Sequence, residues 1–377
     1  MPDGSLFRSV DLDAGDIEAA PVVMMPGLAR RGRGAVAGPA PRFHRHHVAA
    51  TDDGWAFLAE VPPPPALRTE LIEDRSKGAI SWNGSPEPEF DRTVNRYRGY
   101  EHGCIYCCAR TSHAYLGYSP GLDFETRIVF KPNVAALLER ELSKPGYVAR
   151  TLVLGSNTDP YQPAERTLKL TRSVLEVLER FNHPVSIVTK SAGVLGDLDI
   201  MRRMSAKGLV RVWISLTTLD PALARIMEPR ASSPVRRLQA MSALSEAGVS
   251  AGVLAAPMIP GLNDPELERI LVAAHRAGAR HAGYTLLRLP SELREMFTAW
   301  LQEHVPSRAR RVLSLIRETR AGALNDSRFG HRFSGSEVYA DLLHQRFERA
   351  ERQLGYGARD VLDATRFAVP GRQLSLL

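Results

Sequence analysis

Short apolar runs alternate with amphipathic stretches through most of the chain beyond residue 126. Each apolar run has the length and the β-branched content of a buried strand. The predicted strands are Ala149–Leu154, Val185–Thr189, Val210–Ser215, Val249–Ala255 and His281–Leu287, with an earlier strand in the region of Phe90–Val94. This alternation is typical of βα repeats with a parallel sheet.

The amphipathic stretches carry apolar residues at helical spacing. The predicted helices are Val134–Leu142, Arg166–Arg180, Leu198–Ala206, Val235–Ala247, Pro265–Ala277, Ser291–Glu303, Arg308–Thr319 and Glu337–Arg352. No G-x-G-x-x-G follows the first strand, so an open doubly wound sheet is disfavoured. The pattern predicts an α/β fold, a partial (β/α)6 barrel whose polar strand ends form one composite site on one rim.

The chain divides into three zones. Residues 1–75, rich in arginine, proline and glycine, have no apolar period and predict an irregular arm. Residues 76–303 hold the barrel pattern, and residues 304–377 predict a small, mainly helical extension with an apolar tail.

The 377 residues are 44% hydrophobic and 24% charged, which excludes collagen-like, mucin-like and wholly disordered classes. No apolar stretch is long enough for a bilayer, and the first residues lack signal-peptide order, so we expect a cytoplasmic protein without membrane contact. The formal net charge is +7, which permits a nucleic-acid partner. Arg30, Arg31, Arg33 and Arg42 in the arm could follow a phosphate backbone, although a solvated tail explains them equally well.

Cysteine occurs only at positions 104, 107 and 108. Structural disulfides are rare in cytosolic proteins, so a cluster of thiols on one loop favours a metal or redox site. The alternative is that Cys104, Cys107 and Cys108 are small buried hydrophobic residues.

The loop around these cysteines, residues 95–110, reads NRYRGYEHGCIYCCAR. It resembles the radical SAM superfamily and, within it, the group related to spore photoproduct lyase, which typically has NPYRGCEHGC-x-YCYAR here. Further similar stretches are HAYLG at 113–117, NTDPYQP at 157–163, SLTTLD at 215–220 and PMIPGLND at 257–264. The resemblance covers residues 75–300.

The resemblance implies that three thiolates of a C-x3-C-x2-C loop bind three irons of a [4Fe–4S] cluster. The open fourth iron would chelate S-adenosylmethionine, and an electron would cleave it to a 5′-deoxyadenosyl radical. An electron donor is therefore an implied partner.

The sequence departs from this pattern because Tyr100 occupies the first cysteine position and Cys108 the tyrosine position after the third. Arg96 also replaces the usual proline. Three outcomes stay open: Cys108 is the third ligand, the Tyr100 phenolate is the ligand, or the cluster is labile or absent.

The resemblance also nominates cofactor contacts. Tyr106 would flank the adenine, and Asn157, Thr158 and Asp159 would meet the methionyl amino group, although these three residue types also form turns. The predicted ribose or carboxylate contacts are Ser215 and Thr217, whose alternative role is helix capping. Lys190 and Arg288, at strand ends, could meet carboxylate or phosphate, or form surface ion pairs. His102 and His113 allow a competing Cys/His zinc site.

Relatedness to the lyase group implies a nucleic-acid substrate with DNA-lesion chemistry. The last five residues resemble the peptide with which many bacterial repair proteins bind the sliding clamp; its members here are Gln373, Leu374, Leu376 and Leu377. The alternative is an ordinary apolar terminus. A different class of function also stays open, namely a cluster-deficient, non-catalytic barrel that binds nucleic acid or a repair partner.

Overall fold

The computed structural model describes residues 32–36, 38–43, 67–87 and 90–371. The strands are β1 (Glu70–Glu73), β2 (Ile80–Trp82), β3 (Arg92–Val94), β4 (Tyr97–Arg98), β5 (Arg127–Phe130), β6 (Leu152–Leu154), β7 (Val185–Thr189), β8 (Val210–Ser215), β9 (Ser250–Met258) and β10 (His281–Leu286). The α-helices are α1 (Leu122–Thr126), α2 (Val134–Leu142), α3 (Glu165–Leu168), α4 (Leu170–Arg180), α5 (Leu198–Ser205), α6 (Pro221–Met227), α7 (Pro234–Glu246), α8 (Leu267–Arg276), α9 (Leu293–His304), α10 (Pro306–Glu318) and α11 (Glu337–Leu354). Short 3₁₀ helices cover Cys108–Leu116, Ala192–Asp197, Asp264–Glu266 and Ala364–Arg366.

The main sheet has seven strands in the order β10-β9-β8-β7-β6-β3-β2. Neighbours from β3 through β10 pair in parallel, and β2 pairs antiparallel with β3 at one edge. These six parallel strands are the predicted ones, and the predicted partial barrel is confirmed. Their near-continuous apolar runs follow from burial on both faces, between the barrel interior and the outer helices.

A second sheet, with the order β1-β5-β4, was not predicted. β1 lies inside the segment that the sequence predicts to be an irregular arm. The prediction of an irregular arm is therefore wrong for the last residues of that segment. Most of β1 is exposed, so its sequence shows no alternation of buried and exposed positions. β5 is a short buried run that sequence periodicity does not separate from a neighbouring helix.

The single helix predicted over Arg166–Arg180 is wrong, because the structure breaks it into α3 and α4 at Lys169. That residue has a left-handed backbone with φ of 50°. The Thr171 N–H donates to Glu165 Oε1 over 2.6 Å, which satisfies a free amide at the start of α4. The Glu165 carboxylate thus caps the start of α4.

Two apolar clusters form the interior. One fills the space between the main sheet and its helices and includes Leu343 and Phe347 of α11. The other lies behind the cysteine loop and joins Cys104 and Ile105 to Trp300 of α9 and Ile316 of α10. The predicted C-terminal extension therefore contributes to both clusters. None of the described helices is long and apolar enough to cross a membrane.

The chain after α11 runs along the amino ends of the parallel strands. The Gly357 N–H donates to Arg280 O over 3.1 Å, Asp363 N–H to Gly208 O over 3.0 Å, and Ala368 N–H to Phe181 O over 3.0 Å. Each acceptor lies just before a strand or at the end of the preceding helix. This segment covers one end of the barrel and leaves the carboxyl ends of the strands accessible.

Candidate functional site

The cysteine loop connects β4 to the 3₁₀ helix Cys108–Leu116. Its backbone is held at several points: Tyr100 N–H donates to Phe124 O over 2.7 Å, and Ile105 N–H donates to Met227 O over 3.1 Å. Gly103 has φ of 69°, and a Cβ there would lie 2.9 Å from a carboxylate oxygen of Glu125. Only glycine fits this turn, and the residue that follows it, Cys104, is fully buried.

Arg110 holds the loop from behind. It is fully buried, and its guanidinium donates to Cys104 O over 2.9 Å, Gly103 O over 3.2 Å and the Glu125 carboxylate. Glu125 in turn accepts N–H bonds from Gly34 and Ala35 of the arm over 3.0 and 2.8 Å. The described part of the arm is therefore a structural support of the cysteine loop.

All three thiols line one cavity of about 290 Å³ at the carboxyl ends of the parallel strands. The strand ends contribute Asn157, Thr158, Asp159, Thr189, Lys190, Ser215, Pro257, Thr285 and Arg288 to its wall. The predicted composite site on one rim is thus present. Tyr100, Tyr106 and Phe333 complete the aromatic part of the lining.

The thiols differ in exposure. Cys104 is fully buried, Cys107 is partly buried and Cys108 is exposed. Burial raises the pKa of Cys104 to about 12 and that of Cys107 to about 11, so both carry a proton in the metal-free protein. The Sγ atom of Cys108 lies 3.5 Å from Arg288 Nη2 at the cavity mouth.

Tyr100 occupies the first ligand position of the family pattern and lines the cavity beside the thiols. Its hydroxyl bonds His102 Nδ1 over 3.2 Å, and the same nitrogen lies 3.6 Å from Asp159 Oδ2. Burial lowers the pKa of His102, so the ring is neutral at neutral pH, and its tautomer decides whether Nδ1 accepts from or donates to the Tyr100 hydroxyl. The phenol therefore contacts His102 and also lies within hydrogen-bonding reach of the Cys104 thiol.

The donor set suits an iron–sulfur cluster at two positions. Thiolates are the ligands that such clusters take, and Cys104 and Cys107 match the family spacing. Over the described ranges, no three His, Cys, Asp or Glu side chains are grouped so that they could hold a metal ion. Of the described thiols, Cys108 is the third that lines this cavity, and it is exposed.

The zinc alternative stays a prediction, and both histidines that it would use have other contacts. His102 is occupied by Tyr100 and Asp159, as described above, and the ring of His113 packs against Phe124 and Tyr118 with centroid distances of 5.5 and 5.4 Å. Neither imidazole joins the cysteines in a group of ligands.

Asp159 joins the ends of β6 and β7. Its Oδ1 accepts from Thr189 Oγ1 over 2.7 Å and from Tyr161 N–H over 2.8 Å, and its Oδ2 accepts from Lys190 N–H over 2.6 Å. These hydrogen bonds engage both carboxylate oxygens of Asp159. The residue therefore holds the two strand ends together and shapes the cavity wall. Asn157, half-buried in the same wall, is better placed for a ligand contact.

Lys190 points along the cavity floor. Its Nζ donates to Ser215 Oγ over 2.8 Å and lies 5.7 Å from the centre of the Tyr106 ring. Ser215 Oγ also donates to Ala256 O over 3.2 Å, so Ser215 is not a helix cap. The ammonium is a fixed positive charge inside the cavity, rather than part of a surface ion pair.

A buried network lies below the cysteine loop. The Tyr106 hydroxyl and Thr217 Oγ1 both donate to the carboxylate of Glu228, which forms an ion pair with Arg237. Thr217 is fully buried and does not line the cavity, so the predicted ribose or carboxylate contact through its hydroxyl lacks access to a ligand. Tyr106 lines the cavity through its ring, as an adenine-flanking aromatic would.

The predicted nucleic-acid contacts separate into three groups. Arg33 is buried and donates to Glu125 O and Leu67 O over 2.7 and 2.8 Å, so the prediction of a phosphate contact is wrong. Arg288 lines the cavity beside Cys108, whereas Arg42 donates to Thr111 O and forms an ion pair with Glu292 over 2.8 Å. Arg30, Arg31 and the tail residues Gln373, Leu374, Leu376 and Leu377 lie outside the described residues.

Comparisons with known proteins agree with this geometry. The family model of the radical SAM superfamily matches residues 94–274. An uncharacterized protein of Mycobacterium tuberculosis is 38% identical over 230 residues, which are 60% of this chain and 68% of that protein.

Two solved structures share the fold. Spore photoproduct lyase complexed with dinucleoside spore photoproduct superposes with a TM-score of 0.54 and 17% identity, covering 75% of this chain and 79% of the lyase. A lyase variant with bound S-adenosylmethionine (AdoMet) and the same dinucleoside gives a TM-score of 0.52 and 17% identity, covering 75% and 78%.

Proposed function

Because this chain belongs to the radical SAM superfamily, we propose that it is a lyase-like enzyme that binds an iron–sulfur cluster and S-adenosylmethionine. The observation that carries the proposal is the single cavity in which the three cysteines of one loop face the polar ends of the parallel strands. Cys104, Cys107 and Cys108 hold the [4Fe–4S] cluster. When bound, the cluster supplies the electron that cleaves S-adenosylmethionine.

The residues of the chain hold and orient the cofactor. The fixed ammonium of Lys190 attracts its carboxylate, Asn157 offers an unengaged amide, and the ring of Tyr106 supports the adenine. Ser215 keeps Lys190 in place. The apolar side chains of Leu254, Leu286 and Leu287 in the cavity wall keep water away from the reacting carbon.

The proposed substrate class is nucleic acid, with DNA-lesion chemistry. Support comes from the shared fold of spore photoproduct lyase, whose solved complex contains a dinucleoside photoproduct, and from the net charge of +7. A nucleotide would leave its stack to reach the barrel rim. The proposed chemistry requires an electron donor. We place the protein in the cytoplasm and propose that the tail at residues 373–377 contacts the sliding clamp.

A second candidate function is a non-catalytic barrel that binds nucleic acid or a repair partner. It is favoured by one observation, that Tyr100 fills the first ligand position, where the family has cysteine, and its hydroxyl is hydrogen-bonded to His102. The two functions differ in whether the purified, reconstituted protein holds iron and sulfide.

The proposed function is tested by S-adenosylmethionine cleavage. Anaerobically reconstituted protein, reduced with dithionite, is expected to produce 5′-deoxyadenosine and methionine, because the cavity holds both the cluster ligands and the cofactor contacts. Chromatography quantifies both products. Protein that carries a full cluster and yields neither product would contradict the proposal.

Lys190→Gln is expected to weaken S-adenosylmethionine binding about tenfold, since a charge-assisted hydrogen bond is worth about 1.5–3 kcal/mol. Calorimetric titration of reconstituted protein measures the dissociation constant. Lys207→Gln is the matched control, because its ammonium bonds Asn182 Oδ1 on the surface over 2.8 Å. Equal affinities for Lys190→Gln and the parent would remove Lys190 from the cofactor site.

A further inference from the structure

A row of alternating arginine and phenylalanine side chains leads from Cys108 to the solvent. The guanidinium carbon of Arg288, whose Nη2 contacts Cys108, lies 5.1 Å from the ring centre of Phe333. Arg332 lies 4.9 Å from the Phe333 ring centre and 5.1 Å from that of Phe329. We call Arg288, Phe333, Arg332 and Phe329 the arginine–phenylalanine ladder. Its outer ring, Phe329, is 59% exposed.

The ladder is held firmly, although it belongs to a loop. The Leu286 N–H at the end of β10 donates to Phe333 O over 2.8 Å. Arg320, which is buried, donates to His331 O over 2.7 Å and to Leu287 O over 2.9 Å. An ordered exposed ring next to a cavity mouth loses little entropy when a ligand stacks on it.

A second stack lies against the 3₁₀ helix that begins at Cys108. The guanidinium carbon of Arg42 lies 5.5 Å from the ring centre of Phe43 and 5.7 Å from that of Tyr115. Both rings are exposed, Phe43 by 56% and Tyr115 by 72%. Arg42 donates to Thr111 O over 2.9 Å, in the 3₁₀ helix that begins at Cys108. Exposed rings with adjacent arginines therefore lie both in the ladder and at the 3₁₀ helix that begins at Cys108.

Helix α10 adds further exposed positive charge. Its arginines at positions 308, 310, 311 and 317 are exposed, and within the described part of the chain their guanidinium groups have no hydrogen bond or ion pair. The helix ends just before Arg320, which holds the ladder loop. Arginines that lack carboxylate partners are available for phosphate groups.

We infer that the ladder, the Arg42 stack and helix α10 form a binding surface for single-stranded nucleic acid that delivers one base to the cavity. Aromatic rings stack on bases, guanidinium planes stack on bases as well, and unpaired arginines contact the phosphates. A protein partner would favour a contiguous apolar core with few charges, whereas here each exposed ring carries an arginine. The inference rests on the proposed function for its substrate class.

The test is fluorescence anisotropy with a labelled single-stranded DNA dodecamer and the full chain, without cluster or S-adenosylmethionine. Loss of radical chemistry therefore leaves the result unchanged. Phe329→Leu is expected to weaken binding about tenfold, because stacking on an aromatic ring is worth about 1–3 kcal/mol per base. Phe329→Trp keeps a ring and is expected to retain the parent affinity.

A second experiment tests the role of charge. It compares the double variant Arg310→Gln with Arg317→Gln against a control double variant, Arg269→Gln with Arg276→Gln, on the exposed side of α8. The α10 pair is expected to lower the slope of log affinity against log salt by about 1 to 2, and the control pair to leave it unchanged. Equal affinities for the parent, Phe329→Leu and the α10 pair would overturn the inference. Absence of dodecamer binding by the parent would overturn it as well and assign the surface to a different partner.

Discussion

Replacement of Cys104 by alanine is expected to abolish iron binding altogether. The thiol is fully buried in the cavity wall and stands at one of the two positions that match the family spacing. No other described residue can take its place, since Arg110 and the Met227 carbonyl fix the loop backbone on both sides of it. Iron and sulfide analysis after anaerobic reconstitution measures the effect.

The same analysis includes two comparisons. Cys107→Ala is expected to lose iron to the same extent, because it supplies the second matched thiolate. Ser156→Ala is the control, since Ser156 lines the same cavity without being a cluster ligand. Circular dichroism of all variants checks the fold. Full iron content in Cys104→Ala would refute the assignment of the cluster to this loop.

The largest effect on stability is expected from Glu228→Gln, which should lower the free energy of unfolding by about 3 kcal/mol. Glu228 and Arg237 form a fully buried ion pair, so the substitution leaves the Arg237 guanidinium without its countercharge in the interior. Urea denaturation measures the change. Glu179→Gln, which breaks the exposed pair with Arg203, is the control and should change stability little.

The pH dependence of the same pair gives a second readout. Burial alone would raise the pKa of Glu228, but Arg237, Lys190 and the hydrogen bonds outweigh it and lower the pKa from 4.5 to about 2. The ionised carboxylate therefore stabilises the fold fully above pH 4.5, and this contribution is lost as the pH falls toward 2. Glu228→Gln should lack that component. If the free energies of unfolding of parent and variant change in parallel between these pH values, the predicted contribution of the Glu228 carboxylate is contradicted.

The parallel strands and the composite site could be predicted because burial on both faces leaves a strong mark on sequence. Strands such as β8 have few polar residues, and polar groups then follow at the same end of each strand. Asn157, Lys190, Ser215 and Arg288 came together in one cavity for this reason. The cysteine loop could be identified from its clustered cysteines and from the resemblance of residues 95–110 to the family pattern.

Other features depend on contacts distant in sequence. The sequence predicts Arg33 as a phosphate contact, but its guanidinium donates to the backbone carbonyls of Glu125 and Leu67. Thr217 follows a strand like Ser215, but its hydroxyl turns toward Glu228. Phe333 was missed as a lining residue because its loop follows the barrel by many residues and reaches the cavity only through its bond to Leu286. Such assignments need tertiary structure.

The central claim is that this cavity holds an iron–sulfur cluster with Cys108 as the third thiolate. The most direct measurement is the iron and sulfide content, with absorption spectra, of the reconstituted parent, Cys108→Ala and Tyr100→Cys. The account predicts about four irons per chain and bleaching on reduction in the parent, loss of the cluster in Cys108→Ala, and retention in Tyr100→Cys. A colourless parent, with iron bound only by Tyr100→Cys, would contradict the account and favour the non-catalytic barrel.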